Sequence, residues 1–249
     1  FSWRRETESV RVSRFYLDAP LSQGEQTLTG DVAHYIARVL RLGPGAPVQI
    51  FNGSGQEWPG EVVAAGKREV VVTLDAAIAG MSESPLQTHL GQAMSRGERM
   101  DWAIQKAVEL GVNEITPLFT ERCEVKLQGE RADKRQAHWQ QVAVSACEQC
   151  GRSVVPTIHP PTALRDWLSP LQADLKLVLH HRTDQDLDAL PRPQSVALLI
   201  GPEGGLSSDE IQQAETSGFV AARFGPRVLR TETAPVVALS MAQQRWGDF

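Results

Sequence analysis

The run VALLIGPEGGLSSDE, Val196 to Glu210, restricts this chain more than any other stretch. An apolar run of that length reads as a buried strand. Glycines, a proline and a glutamate then crowd into the turn, and a helix follows. Ser207 stands at the cap, with Glu210 three residues on to complete a capping box. In α/β sheets ligands bind beyond the carboxyl ends of strands, where a glycine turn lets backbone approach the ligand. The plain alternative is a tight strand-to-helix connection without a ligand. The turn has neither the GxGxxG spacing nor a Gly-Lys-Ser/Thr, which argues against nicotinamide cofactors and nucleoside triphosphates.

The chain around this run divides in two. From Pro85 onward, strand candidates at Leu86–Ala93, Ile115–Phe119, Leu175–His180, Val196–Ile200 and Val220–Phe224 alternate with helix candidates. Those helices are expected at Met100–Leu110, Asp133–Cys150, Asp209–Ser217 and Ala234–Trp246. Such alternation predicts an α/β fold, a mostly parallel sheet covered by helices. Residues 11–80 instead read as a small β-rich module. Its strand-like runs are Val48–Phe51, Glu57–Ala64 and Glu69–Leu74, with a hairpin turn at Asn52–Gly55 and a helix over Asp31–Leu42 stopped by Gly43-Pro44-Gly45. The boundary is placed near Gly80–Ser84, giving domains over 11–80 and 84–249. Residues 1–10 lack the apolar core and cleavage site of a signal peptide and read as a leader or irregular arm.

Composition narrows the function classes. With 41% hydrophobic and 22% charged residues and no apolar run long enough for a bilayer, a membrane protein is not expected. A net charge of −5 argues against a non-specific nucleic-acid binder but leaves room for a local basic patch. Cys147 and Cys150 form a CxxC, which raises zinc or redox chemistry. No second ligand pair stands at a plausible spacing, and Trp139, Val142, Ala143, Ala146, Cys147 and Cys150 follow helical spacing, so both thiols read as core in a reducing cytoplasm.

A second strand-to-helix junction, GPRVLRTETAP from Gly225 to Pro235, places Arg227, Arg230 and Glu232 in a loop, with Thr233 expected to cap the helix and Pro235 in its first turn. Charged loop residues are usually just solvated. Two such loops at neighbouring strand ends would nevertheless form one crevice lined by backbone groups and a few charges.

Together these loops carry a resemblance. IGPEGGLSSDE followed by FGPRVLRTETA, with Phe224 where leucine is usual, closely resembles the RsmE family, the 16S ribosomal RNA uridine-N3 methyltransferases of the SPOUT superfamily. HYIARVLRLGPG (His34–Gly45), GERMDWAIQKAVELGV (Gly97–Val112), LFTERC (Leu118–Cys123) and ACEQCGR (Ala146–Arg152) match in order along nearly the whole chain. The resemblance implies an α/β domain whose C-terminal segment forms a deep trefoil knot, an exception to the unknotted rule. It further implies a PUA-like N-terminal RNA-binding domain, a homodimer, and S-adenosyl-L-methionine bound in the knot, with no metal. The implied reaction is methylation of N3 of one uridine, uridine 1498, of 16S ribosomal RNA within the 30S subunit. The cofactor loops would comprise Leu179 and His180, then Gly201, Pro202, Glu203, Gly204 and Leu206, then Gly225, Val228, Leu229 and Thr231.

Chemistry assigns roles within those loops. The uracil imide nitrogen is a poor nucleophile until its proton leaves, so a base or a cation that stabilises the uracil anion would help. Arg230 is the candidate cation; Glu203 and Glu232 are candidate bases, the alternative for Glu232 being an ion pair that holds Arg227 or Arg230. His34, Arg38 and Arg41 share a helix face and, with Arg11 and Arg14, form a candidate phosphate-contacting patch; the alternative is a solvated polar face. Gln149 and Arg152 lie off their helix's apolar stripe and are expected to face RNA. Lys106, Glu109 and Arg122 match family motifs without a separable role. Competing readings are a ribose 2′-O-methyltransferase of the same superfamily, a non-catalytic RNA-binding assembly factor, and a small-molecule methyltransferase.

Overall fold

Period-two burial decides the early strands. Val48 and Ile50 on one, separated by the more exposed Gln49, and Val70, Val72 and Leu74 on another, separated by more exposed neighbours, fill one core with Phe15, Leu28, Ile36, Trp58 and Val62. The computed structural model describes residues 12–179 and 192–249. They form two units: the residues up to Ser82 with Glu148–Val154, and Glu83–Cys147 with Val155–Phe249.

In the first unit, β1 (Ser13–Tyr16), β2 (Gly24–Thr29), β3 (Pro47–Phe51), β4 (Gln56–Ala65), β5 (Glu69–Leu74) and β6 (Ile78–Ala79) make one sheet. Its order is β1-β3-β4-β5-β2, with β6 on β4; β1 and β3 run parallel and the other pairs antiparallel. The expected helix at Asp31–Leu42 is there, but only its start, α1 (Gly30–His34), is α-helical. Tyr35–Val39 widens into a π-turn, closed by Leu40 N–H to Tyr35 O at 2.9 Å.

Glu148–Val154 belongs to this unit, which the sequence division did not anticipate. The reason is a buried polar network. The Arg14 guanidinium pairs with the carboxylate of Glu57, which also accepts from Gln49 and the Ser153 hydroxyl. Arg14 also donates to Arg152 O (3.0 Å) and lies 4.9 Å from the Phe51 ring centroid, while the Tyr16 amide donates to Glu148 (2.9 Å). A buried polar group needs such partners, so these contacts hold the segment in place.

The second unit carries β7 (Gln87–Ala93), α2 (Glu98–Glu109), β8 (Glu114–Phe119), α3 (Glu130–Cys150, whose end counts with the first unit), β9 (Thr157–Ile158) and β10 (Thr162–Ala163). Then come α4 (Leu164–Leu168), β11 (Leu175–Leu179), β12 (Ser195–Ile200), α5 (Ser208–Thr216), β13 (Val220–Ala222) and α6 (Thr233–Trp246). Every strand pair is parallel, in the order β10-β8-β7-β12-β11-β13, with β9 on β8. The apolar run of β12 sits in the middle, and its residues Val196 to Ile200 are all buried. Sequence reading missed α4, β9 and β10, since pieces of two to five residues carry no periodicity. At the sheet centre, a Cβ on Gly91 would meet the Trp167 ring at 2.4 Å, so the indole packs directly on the β7 backbone. Along α3, Trp139, Ala143, Ala146 and Cys147 are buried, as the helical spacing required; Val142 and Cys150 are half-buried at the stripe's edge. Among the described residues no helix is long and apolar enough to cross a membrane.

Candidate active site

The two glycine-rich loops do not leave adjacent strands. They follow β12 and β13, and β11 lies between. What unites them is Thr231. The chain leaves the edge strand β13, passes Phe224 to Arg230, and buries the Thr231 side chain at the ends of β12 and β7. There Thr231 Oγ1 donates to Gly201 O (2.8 Å) and accepts from Gln92 Nε2 (3.2 Å). Arg230 O then accepts the amides of Thr233 and Ala234 (3.0 and 2.9 Å), which turns the chain into α6 against α2 and β12.

The first loop is braced from both sides. Ser207 and Glu210 form the expected capping box: Glu210 N–H to Ser207 Oγ at 3.3 Å, and Ser207 N–H to Glu210 Oε2 at 2.9 Å. The other oxygen of Glu210 accepts the Glu121 amide (2.7 Å), tying in the exit of β8. Gly205, at φ +71°, lets its N–H reach Pro202 O (2.8 Å), a turn a side chain would strain. Arg122 Nη1 donates to Gly204 O (2.9 Å), and Arg99 pairs with Glu203 (2.9 Å). Arg99 and Gln92 are thus site residues that sequence reasoning left without a role; their partners, Glu203 and Thr231, lie 104 and 139 residues away, beyond any local pattern.

These loops enclose a crevice of about 610 Å³. Leu179, Ile200, Leu206 and Leu229 line it with both glycine loops, as do Arg99, Arg122, Arg223, Arg227 and Arg230, all five exposed. Gly201, Pro202, Glu203, Gly204, Gly225, Val228, Thr231 and Glu232 also line it. Val228, although at the crevice, is 82% exposed. His180 lies outside the described residues. The expected Thr233 cap is displaced by one residue. Glu232 occupies the cap position without using its side chain, and Pro235 is third in the helix. The Glu232 carboxylate is therefore free of the capping role, whereas Glu203 is held by Arg99.

The expected RNA-facing residues separate. His34, Arg38, Arg41 and Gln149 are exposed. Arg14 and Arg152 are corrections: the Glu57 network draws Arg14 inward, and Arg152 is only 5% exposed because its segment packs into the first unit. Arg11 lies outside the described residues. Lys106 and Glu109 pair with each other (2.7 Å) on α2.

A second cluster was not foreseen. His89, Glu114 and His159 meet near the amino ends of β7 and β8, with His159 Nε2 2.6 Å from Glu114 Oε2 and the two imidazoles stacked at 5.4 Å. These are metal-ligand types. However, His89 Nε2 already accepts the Trp167 indole N–H (3.3 Å), which leaves the neutral ring's proton on Nδ1, facing Glu114. The group is a hydrogen-bonded cluster. Burial lowers the His89 pKa to about 4, with Glu114 opposing and His159 reinforcing the shift.

Comparison with known proteins fits this geometry. Residues 82–243 match a model described as an RNA methyltransferase domain, and residues 28–75 one described as an RNA methyltransferase PUA domain. The ribosomal RNA small subunit methyltransferase E of Buchnera aphidicola subsp. Schizaphis graminum is 36% identical, covering 96% of this chain and 98% of its own. The Bacillus subtilis protein of that name is 28% identical over 92% and 95%. Among solved structures, a Neisseria gonorrhoeae ribosomal RNA small subunit methyltransferase E bound to S-adenosyl methionine is similar at TM-score 0.89, with 37% identity over 96% of this chain and 99% of that one. A Legionella pneumophila protein, solved with SAM bound, gives TM-score 0.93, with 40% identity over 96% and 100%.

Proposed function

Because the chain belongs to the ribosomal RNA small subunit methyltransferase E family, we propose that its crevice binds S-adenosylmethionine and its C-terminal unit methylates N3 of a uridine, uridine 1498, in 16S ribosomal RNA. The observation that carries this is the Thr231 tie, which draws the loops after β12 and β13 into one crevice at the carboxyl ends of a parallel sheet. The fit to the cofactor is favourable. An apolar wall with backbone groups at its edges suits an adenine ring, and about 610 Å³ lies inside the ~300–1,000 Å³ usual for small-molecule sites. When bound, the cofactor supplies the methyl group of its sulfonium. The chain's own part is positioning and charge. The backbone of Gly201–Leu206 and Gly225–Leu229 would hold the cofactor's adenine and methionine portions.

Arg230 lines the crevice and stabilises negative charge on the uracil oxygens as the imide proton leaves. Of the two candidate bases, Glu232 is the better placed, because its carboxylate is not used by the helix cap, whereas that of Glu203 is engaged by Arg99. The crossing of residues 223–232 beyond β11 supports the trefoil knot. A homodimer, the assembled 30S subunit as substrate and a cytoplasmic setting complete the reading.

The test is methyl transfer from labelled S-adenosylmethionine to 30S subunits lacking the modification, followed by nucleoside mass spectrometry. The expected product is 3-methyluridine, lost with Arg230→Ala while cofactor binding persists. A 2′-O-methylated nucleoside instead would overturn the base-nitrogen assignment, and binding without transfer would favour the assembly-factor alternative.

A further inference from the structure

We propose that the turn formed by Tyr35 to Arg41 in the first unit is a docking surface for an unpaired nucleotide of the RNA substrate, its base stacked on Tyr35 and its flanking phosphates held by Arg38 and Arg41. The inference rests on the RNA-modifying reading above and adds how the first unit grips a single strand.

The turn exposes what a soluble helix normally hides. Ala33 and Ile36 anchor one side in the core, while Tyr35, Val39 and Leu40 are 45%, 55% and 37% exposed. Three exposed apolar side chains within six residues make a local patch that marks a contact surface. The Tyr35 ring is not loose: its edge-to-face contact with the buried Phe15, at 6.2 Å and 76°, backs it and leaves part of the ring to solvent. A supported, half-exposed aromatic ring is what base stacking uses, and stacking requires a base that is not paired within a duplex.

Charge selects RNA over a protein partner. In a chain of net charge −5, no aspartate or glutamate occurs between Asp31 and Glu57, while His34, Arg38 and Arg41 fall within that interval and are exposed. Neither arginine makes an ion pair with another described residue. Their charges are therefore available to phosphates.

Backbone geometry adds an independent sign. Arg41, at φ +55°, is the one non-glycine with positive φ among the described residues. Leu42 N–H reaches back to Ile36 O (3.0 Å) across it, a helix ending for which glycine is the usual residue. Glycine would serve the turn better, so an arginine there points to use of its side chain. The π-turn beside it is a second departure from regular helix that recurs at functional sites.

The experiment uses the full chain. Fluorescence anisotropy measures binding of a labelled single-stranded RNA and of a duplex of equal length, and methyl transfer to 30S subunits gives KM and kcat. The expected result for Tyr35→Ala is a loss of single-strand affinity between about fivefold and a hundredfold, the span for one stacked base. A matching rise in KM is expected, with kcat and cofactor affinity unchanged. Tyr35→Phe keeps the ring and should stay within twofold of the wild type. Arg38→Gln and Arg41→Gln should each lower the slope of log K against log salt by about 0.7.

The proposal is overturned if folded Tyr35→Ala binds single-stranded RNA as the wild type does, or if Tyr35→Phe is as weak as alanine. The same holds if duplex is preferred to single strand, as a partner of another class at this patch would allow. Failure of the methylation reading is distinct, since it shows as absent transfer by the wild type while the binding series still reports on stacking.

Discussion

Replacing Thr231 by valine keeps its shape and removes one oxygen. In the native site that oxygen donates to Gly201 O at 2.8 Å and accepts from Gln92 Nε2 at 3.2 Å, with the side chain buried. Valine orphans the Gly201 carbonyl. Gln92 loses less, because its amide also reaches Ala93 O (3.2 Å) and Thr231 O (3.4 Å). One unsatisfied buried acceptor costs about 1–3 kcal/mol, so the expected destabilisation is about 2 kcal/mol. For a chain of this size that lowers Tm by roughly 4–8 °C in calorimetry. Affinity should fall too, because the same bond holds the loop after β12 to the segment after β13, and loosening it makes binding order both. A loss of about 1.4 kcal/mol is tenfold in Kd. Titration calorimetry with S-adenosylmethionine is therefore expected to give Thr231→Val a Kd at least about tenfold weaker, with Thr231→Ser within twofold of the wild type. The reasoning is refuted if valine binds as tightly as threonine, or if serine is as weak as valine.

Two further outcomes follow from packing and titration. Gly91→Ala drives a methyl into the Trp167 ring, and overpacking of this kind costs about 1–3 kcal/mol. Scanning calorimetry should show the loss reduced when Trp167→Leu is combined with it; simple additivity would disprove the contact. His89 titrates at about 4 in the folded chain against 6.5 unfolded, so below pH 6.5 the unfolded chain takes a proton the native one refuses. Its stabilising effect is complete above that pH and is lost as pH falls towards 4, by roughly 3 kcal/mol at most. Imidazole shifts followed by NMR should place the His89 midpoint well below 6, and a midpoint near 6.5 would disprove the burial argument.

The site's main chain was legible because its signals are local. The strand-turn-helix at Val196–Glu210 needs only an apolar run, a glycine turn and a cap three residues from its partner, and the capping box formed as read. Helix α3 was visible through its stripe of Trp139, Ala143, Ala146 and Cys147. Charged side chains were less legible. Arg14 reads like any surface arginine until Glu57, 43 residues later, takes it into the interior; the Glu203–Arg99 pair, which changes the choice of base, spans 104 residues.

The sequence by itself thus determined the longer elements of the second unit, their parallel arrangement and the loops that carry the chemistry, because hydrophobic period, glycine turns and helix caps act over a few residues. Only the tertiary structure decided that the two loops flank β11 and are joined through Thr231 and Gln92, and which arginines stay at the surface. A buried polar group must find its partner wherever the fold brings one, and no short-range pattern along the chain encodes that distance.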